Sequence, residues 1–261
     1  MTTLADDQRR PWQRKAWVQV LAILLGVAPI YTMSILSHLS RDQPYTMNEI
    51  FFYTTVVGGI MIVVLLLLLR YLCGERIRDL NLKRGMWWQD VLGGVVLAAL
   101  TLGLHNLLQG PLNRMFPREP MSGLGDFFNG MAQNPWLFAL FVGPVLWIGV
   151  AGFEELTRVV LLSRLWKIGP ANAWRWFGVL LSAVLFGLSH VYQGAAGVVD
   201  TTINGLILAV YYLVFGRVFP LIISHYLYDA IQIVTVQRAD AVGSRDGAGR
   251  PQLAASQASA R

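Results

Sequence analysis

Charge is scarce in this chain. Only 14% of its 261 residues are Asp, Glu, Lys or Arg, against 55% that are hydrophobic, whereas a soluble domain carries about 25% charged residues. The shortfall argues against a water-exposed globule. Cysteine is nearly absent as well. A single residue, Cys73, excludes an intramolecular disulfide and any cysteine-based zinc site, and at a helix end it reads as a packing or palmitoylatable thiol. No internal repeat is visible, and low complexity is confined to the C-terminal tail.

What the chain does have is long apolar runs. A transmembrane helix needs about 20 predominantly apolar residues, and candidates lie at Ala16–Leu39, Ile50–Cys73, Trp87–Leu108, Trp136–Trp166, Trp174–Tyr192, Val198–Phe215 and Val218–Val236. Strands of an outer-membrane barrel would alternate apolar and polar residues, but Ile60 to Leu69 is continuously apolar. The expected fold is an all-α polytopic membrane protein, a bundle of about seven, at most eight, transmembrane helices. The tight join at Phe215-Gly216-Arg217 predicts an antiparallel hairpin of the last two. Between the third and fourth runs, Pro111, Pro117 and Pro120 break any single helix, and Asp126–Met131 is expected to form a short interfacial one.

Short-loop Lys and Arg set orientation. Arg9, Arg10, Arg14 and Lys15 precede the first run, Arg70, Arg76, Arg78, Lys83 and Arg84 follow the second, and Arg164, Lys167 and Arg175 bracket the end of the fourth. These loops are expected to be cytoplasmic, with the N-terminus on the same side of a cell (inner) membrane. The alternate loops, holding Arg41, then Arg114 and Arg118, then Asp200 alone, are expected outside. The net charge of +6 follows from this topology and implies attraction to anionic lipid headgroups, not a nucleic-acid partner.

Against this apolar frame, Glu154 and Glu155 stand out. An acidic side chain at bilayer depth costs roughly 2.5 to 3.5 kcal/mol on insertion scales, so a pair must face a protein interior or a wet cavity. Adjacent residues on a helix point about 100° apart, so the two carboxylates have different surroundings. Arg158 is four residues after Glu154 and three after Glu155, within reach of either. Pairing one carboxylate with arginine and leaving the other in an apolar pocket is how a site draws a structural anion and a general base from one residue type. The plainer reading is an ion pair that holds helices together.

Histidines occur in two other runs, His190 in Phe186-x-x-x-His190 and His225 in His225-x-x-x-Asp229, where the i, i+4 spacing lets Asp229 orient the imidazole. Counted from the expected cytoplasmic turns, Glu154 is about 15 residues deep, His190 about 18, and His225 and Asp229 about 9 to 13, depths that overlap at 1.5 Å per residue. His38 is expected at an interface, and His105 is expected to lack an acidic partner. Asn204, Tyr192, Gln193 and Tyr228 are candidates to hydrogen-bond around the site. Gly58, Gly59, Gly93, Gly94, Gly149 and Gly152 are expected to let helices approach closely.

A carboxylate base can activate water while imidazoles stabilise an oxyanion or protonate a leaving amine, which together describe peptide hydrolysis. The same set could hold a divalent metal such as zinc through Glu154, His190 and His225, and residue types alone leave both open. Other hydrolase signatures are missing: there is no His-Glu-x-x-His, no Gly-x-Ser-x-Gly, and Ser189 is not followed by the glycine of a rhomboid-type site.

Glu154-Glu155 with Arg158, Phe186-x-x-x-His190 and His225-x-x-x-Asp229 resemble the three motifs of the CPBP group, the CAAX prenyl protease type II and bacteriocin-processing (Abi) family of intramembrane endopeptidases. The resemblance covers about 136–236. It implies a glutamate-dependent intramembrane protease without a firmly implied cofactor, in which Glu154 activates water with His190, while His225 and Asp229 stabilise the oxyanion. The chain then divides into a cytoplasmic N-terminal segment (1–15), accessory helices and an outer loop (16–135), a CPBP-like core (136–237) and a disordered tail (238–261). One departure is that only Leu156 and Thr157 separate Glu155 from Arg158, where the family motif has three residues. Expected partners are membrane lipid and a protein or peptide substrate. A short basic N-terminus without a targeting peptide suggests a bacterial chain with an unprenylated substrate. Two other classes fit the same residues: a proton-coupled transporter, and a catalytically silent scaffold or immunity protein.

Overall fold

The computed structural model describes residues 15–40, 47–83, 85–116, 131, 134–169 and 171–248. Seven helical segments follow one another: α1 (Ala16–Ser40), α2 (47–72), α3 (Trp87–Met115), α4 (Pro135–Ile168), α5 (Asn172–Leu188), α6 (Gly194–Phe215) and α7 (Phe219–Ala248). Single 3₁₀ turns, Ile77–Leu80 and Val191–Gln193, lie in two connections. Among the described residues there is no strand, so the all-α expectation holds. Four helices are long and apolar enough to cross a membrane: Tyr53–Leu72, Trp87–Met115, Pro135–Ile168 and Val191–Phe215. Ala16–Pro29 and Asn172–Leu188 are apolar but shorter. The chain is a multi-pass membrane protein.

Its outward surface agrees with a lipid solvent. Leu25, Val63, Leu92, Val96, Leu107 and Leu180 are exposed, an apolar display that water would not tolerate. Trp17, Trp87, Trp136 and Trp176 are exposed near helix ends, where amphipathic rings sit at headgroup level.

α4 is the axial element, and its sequence explains its shape. Asn134 caps it, accepting a hydrogen bond from the Leu137 amide at 3.2 Å, with Pro135 in the first turn where its missing donor is not needed. Gly143 then leaves helical geometry (φ −78°, ψ −106°) and Pro144 lacks an amide, so Phe141–Gly152 winds as wide π turns before regular helix resumes at Phe153. α2 carries its own wide turn at Tyr53–Val57. The two irregular stretches lie against each other at glycines: a Cβ on Gly58 would stand 2.9 Å from the Gly149 carbonyl oxygen, and one on Gly149 would stand 2.7 Å from that of Thr54. Gly93 and Gly94 likewise admit Tyr211 and Ile223, whereas a Cβ on Gly59 would meet no atom within 4 Å, so that glycine makes no such approach. From Phe153 to Leu165 every side chain of α4 except Glu154 is buried.

One end of the bundle is tied by polar clasps. Glu75 binds both Arg164 and Lys167, and Arg164 also reaches Gln19 of α1 at 3.1 Å. Arg217 donates Nε–H to Asp90 of α3 at 2.9 Å and binds the second carboxylate oxygen through Nη2. Gly216 adopts the left-handed conformation (φ 63°, ψ 32°) that ends α6 and turns the chain into α7, the hairpin expected at this join. Tyr212, fully buried, donates to the Leu80 carbonyl at 2.6 Å and stacks on Trp166.

Three expectations are corrected or fall outside the described residues. Asp200 is not a lone loop acid but is buried within α6, because Gly194 at φ 73° starts that helix earlier than the apolar run suggests. α7 continues to Ala248, past the boundary expected at 237. The interfacial helix expected at Asp126–Met131 lies outside the described residues apart from Met131.

The Glu75 clasp makes a pH prediction. Burial pushes its carboxyl up, but the hydrogen bond from Lys167 and the charge of Arg164 outweigh this and hold it below its ordinary value of 4.5. A carboxyl depressed in the folded state contributes stability that is complete above the unfolded value and is lost as pH falls through the folded one. Glu75→Gln should therefore lower the Tm in detergent at pH 7, and its Tm should fall less than that of the native chain when the pH is taken below 4.5.

Candidate active site

Three helices bring the acids and imidazoles of the sequence motifs together. Glu154, Glu155 and Arg158 lie in the first turns of regular helix after the π stretch of α4. His225 and Asp229 share one face of α7, and His190 follows the end of α5. The widened turns matter because each π turn shifts the facing of all residues beyond it. Glu155 is thereby directed into the protein, with no exposed surface, while Glu154 keeps a quarter of its side chain accessible.

Glu155 is fully engaged. Arg158 donates to it twice, Nε to Oε2 at 2.8 Å and Nη2 to Oε1 at 3.0 Å, and its third contact, Nη1 to the Gly205 carbonyl at 2.9 Å, crosses to α6. This settles which glutamate the arginine pairs with, a point the sequence left open: the i, i+3 partner, despite the shortened motif. The guanidinium also lies 4.1 Å from the Phe186 ring centroid. A Cβ at position 205 would stand 2.9 Å from Arg158 Nη1 and from the Phe186 ring, so only glycine leaves room for this crossing.

His225 is held by Glu155 as well, its Nδ1 lying 2.8 Å from Oε1. A carboxylate only accepts, so Nδ1 carries the proton and Nε2 is turned toward Glu154 and Asp229. It lies 3.6 Å from Glu154 Oε2 and 3.4 Å from Asp229 Oδ2. Glu154 Oε2 itself is buried with no hydrogen-bond partner among the described residues. The adjacent carboxylates thus differ: both oxygens of Glu155 are engaged, while Glu154 has one that is not.

His190 packs against Phe186, as His225 does. Its Nδ1 lies 2.9 Å from the Phe186 carbonyl oxygen, which requires the proton on Nδ1 and leaves Nε2 available. Its ring packs 4.7 Å from Phe186, and the ring of His225 stands edge-on to the same phenyl at 5.8 Å. Phe186 is therefore the apolar hub on which Arg158 and both imidazoles rest. Ser189 Oγ donates to the Phe186 carbonyl at 2.7 Å, a helix-end bond, and lies 3.0 Å from His190 Nδ1, the nitrogen already committed to that carbonyl. Glu154 and His190 are within electrostatic reach of each other.

The surrounding candidates fall differently. Tyr192 packs 5.8 Å from the His190 ring and Gln193 donates to its hydroxyl, while Asn204 and Tyr228 belong to a separate group around His105. His105, expected without an acidic partner, lies 2.6 Å from Asp200. Tyr31 of α1, within electrostatic reach of Glu154 and Arg158, was not anticipated; a tyrosine in an apolar helix gives no signal of its own. Zinc would have to be held by Glu154, His190 and His225. His225 would offer Nε2 while its Nδ1–H stays on Glu155, although no three His, Cys, Asp or Glu side chains among the described residues are arranged to hold one ion.

Residues 134–231 match the family model described as type II CAAX prenyl endopeptidase, Rce1-like. The matched segment bears all six of these residues and is similar to that family; α1 to α3 lie outside it. No curated protein and no solved structure matches the chain.

Breaking the Glu155–Arg158 pair and substituting Glu154 should have opposite effects on stability. Removing one partner of a buried ion pair costs about 3 to 5 kcal/mol, so Arg158→Met should lower the Tm sharply. Glu154→Gln deletes a buried charge whose Oε2 has no hydrogen-bond partner and should leave the Tm unchanged or raise it, both read by thermal unfolding in detergent.

Proposed function

We propose that this protein is an intramembrane endopeptidase that hydrolyses a peptide bond of a membrane-associated protein or peptide with water activated by Glu154. The observation that carries the reading is the contrast between Glu155, both of whose oxygens accept hydrogen bonds, and Glu154, whose Oε2 faces the imidazole of His225 without a hydrogen bond. In this reading Glu154 accepts a proton from water as the oxygen attacks the carbonyl carbon, then passes it to the amine as the C–N bond breaks. His190, its Nδ1 committed to Phe186, offers Nε2 to the same water. His225 acts in this reading as an imidazolium, with Nδ1–H held by Glu155 and Nε2–H, steadied by Asp229, able to donate to the oxyanion. Arg158 touches neither water nor substrate; it neutralises Glu155 and so fixes His225. The pocket lies among apolar helices, where such hydrogen bonds are stronger than in water. The family match supports proteolysis, and the basic loops support a cytoplasmic N-terminus in a cell membrane.

The test compares membrane proteomes of cells carrying the native chain and the Glu154→Gln variant at equal abundance. The proposal expects at least one membrane-associated protein to lose a mature terminus in the variant. Unchanged termini, with proton-linked uptake lost, would point to a carrier; unchanged termini and uptake would point to a scaffold. A requirement for zinc, shown by one bound equivalent and loss of processing on chelation, would replace the glutamate–water route.

A further inference from the structure

A second buried pair of ionisable side chains lies inside the bundle, and the reaction above does not use it. His105 of α3 and Asp200 of α6 are both buried, and Nδ1 lies 2.6 Å from Oδ2. Ionisable groups within a membrane-spanning bundle are expensive, and a buried pair is weak evidence of stabilisation, because well-packed apolar residues do as well or better. Its surroundings suggest what it is for. The His105 ring stands edge-on to Tyr228 at 5.7 Å between centroids. The Tyr228 hydroxyl accepts from Gln232 at 3.3 Å, lies beside Asn204, and is within electrostatic reach of two carboxylates, Asp200 and Asp229. Tyr228 thus stands between the dyad and Asp229, the residue that faces His225 Nε2.

α3 is placed to exert this control. It packs along α7 and grips the α6–α7 hairpin at two heights. Asp90 holds Arg217 at the turn, and His105 holds Asp200 further along, about 22 Å away at 1.5 Å per residue. Between them Gly94 brings α3 against the Pro220 carbonyl and Ile223, which lies two residues before His225.

We propose that His105 and Asp200 form a positioning dyad that, through Tyr228, sets where Asp229 stands relative to His225, so that a helix outside the family-matched segment adjusts the geometry of the candidate active site. The dyad does not touch the reacting atoms. The inference rests on the proposed hydrolysis only for its kinetic arm.

The chain has four histidines, so ¹⁵N-histidine NMR of the full-length protein in detergent micelles gives a spectrum assignable by single substitutions. Asp200→Asn should move the ring resonances of His105 and also those of His225, while Asp90→Asn, which breaks the other tie of α3, should leave His225 in place. Should Asp200→Asn fail to fold, His105→Gln tests the same coupling. With the peptide identified by the proteome comparison as substrate, Asp200→Asn should lower kcat about tenfold with KM nearly unchanged. His225 resonances unmoved by both dyad variants, or moved equally by Asp90→Asn, would overturn the positioning role. Absence of any cleaved peptide would count against the hydrolytic reading alone, because the NMR arm needs no turnover.

Discussion

The site depends on one interaction, the two-fold hydrogen-bonded pairing of Arg158 with Glu155 at full burial. A lone carboxylate there would be prohibitive and a lone guanidinium equally so, but together, with the Gly205 carbonyl taking a third donor and Phe186 covering the cation's face, they form a neutral unit that tolerates an apolar interior. Around that unit the rest is arranged. Glu155 holds His225, Arg158 reaches across to α6, and Phe186 brings α5 and His190 alongside. The helices of the site thus converge through one ion pair.

This explains why two adjacent glutamates serve where one could not. The helix sends them in different directions, so one becomes part of the scaffold while the other remains open to the pocket. The irregular backbone before them has a related purpose. The break at Gly143-Pro144 and the π turns through Gly152 set the rotation at which α4 enters the core, and the Gly58–Gly149 contact with α2 packs against that stretch. α1 and α3, outside the matched segment, contribute Tyr31, within electrostatic reach of Glu154, and His105, which pairs with Asp200 and stands edge-on to Tyr228.

Much of this was legible beforehand, and for physical reasons. Continuous apolar runs such as Ile60 to Leu69 can only be helices in a membrane, and the order of helices follows from them. The Glu154-Glu155 pair announced itself because acids are so costly in such a setting. What sequence could not show was anything set by contact between distant segments. His105 and Asp200 lie on different helices, so neither revealed the other, and Asp200 looked like loop because the apolar run beside it starts late. The choice of Glu155 over Glu154 as partner of Arg158 needed side-chain directions. The end of α5 at Leu188 likewise comes from Ser189 and His190 turning back onto the Phe186 carbonyl, a bond no periodicity predicts.

The central claim, that neighbouring carboxylates of identical chemistry hold opposite roles, is open to one direct measurement. Carbodiimide-driven amidation of the folded protein in detergent, mapped residue by residue by mass spectrometry, reads which acids are free to react. The account predicts modification at Glu154 well before any at Glu155, with Glu155 becoming reactive only on unfolding. Equal labelling of the two, or earlier labelling of Glu155, would contradict it.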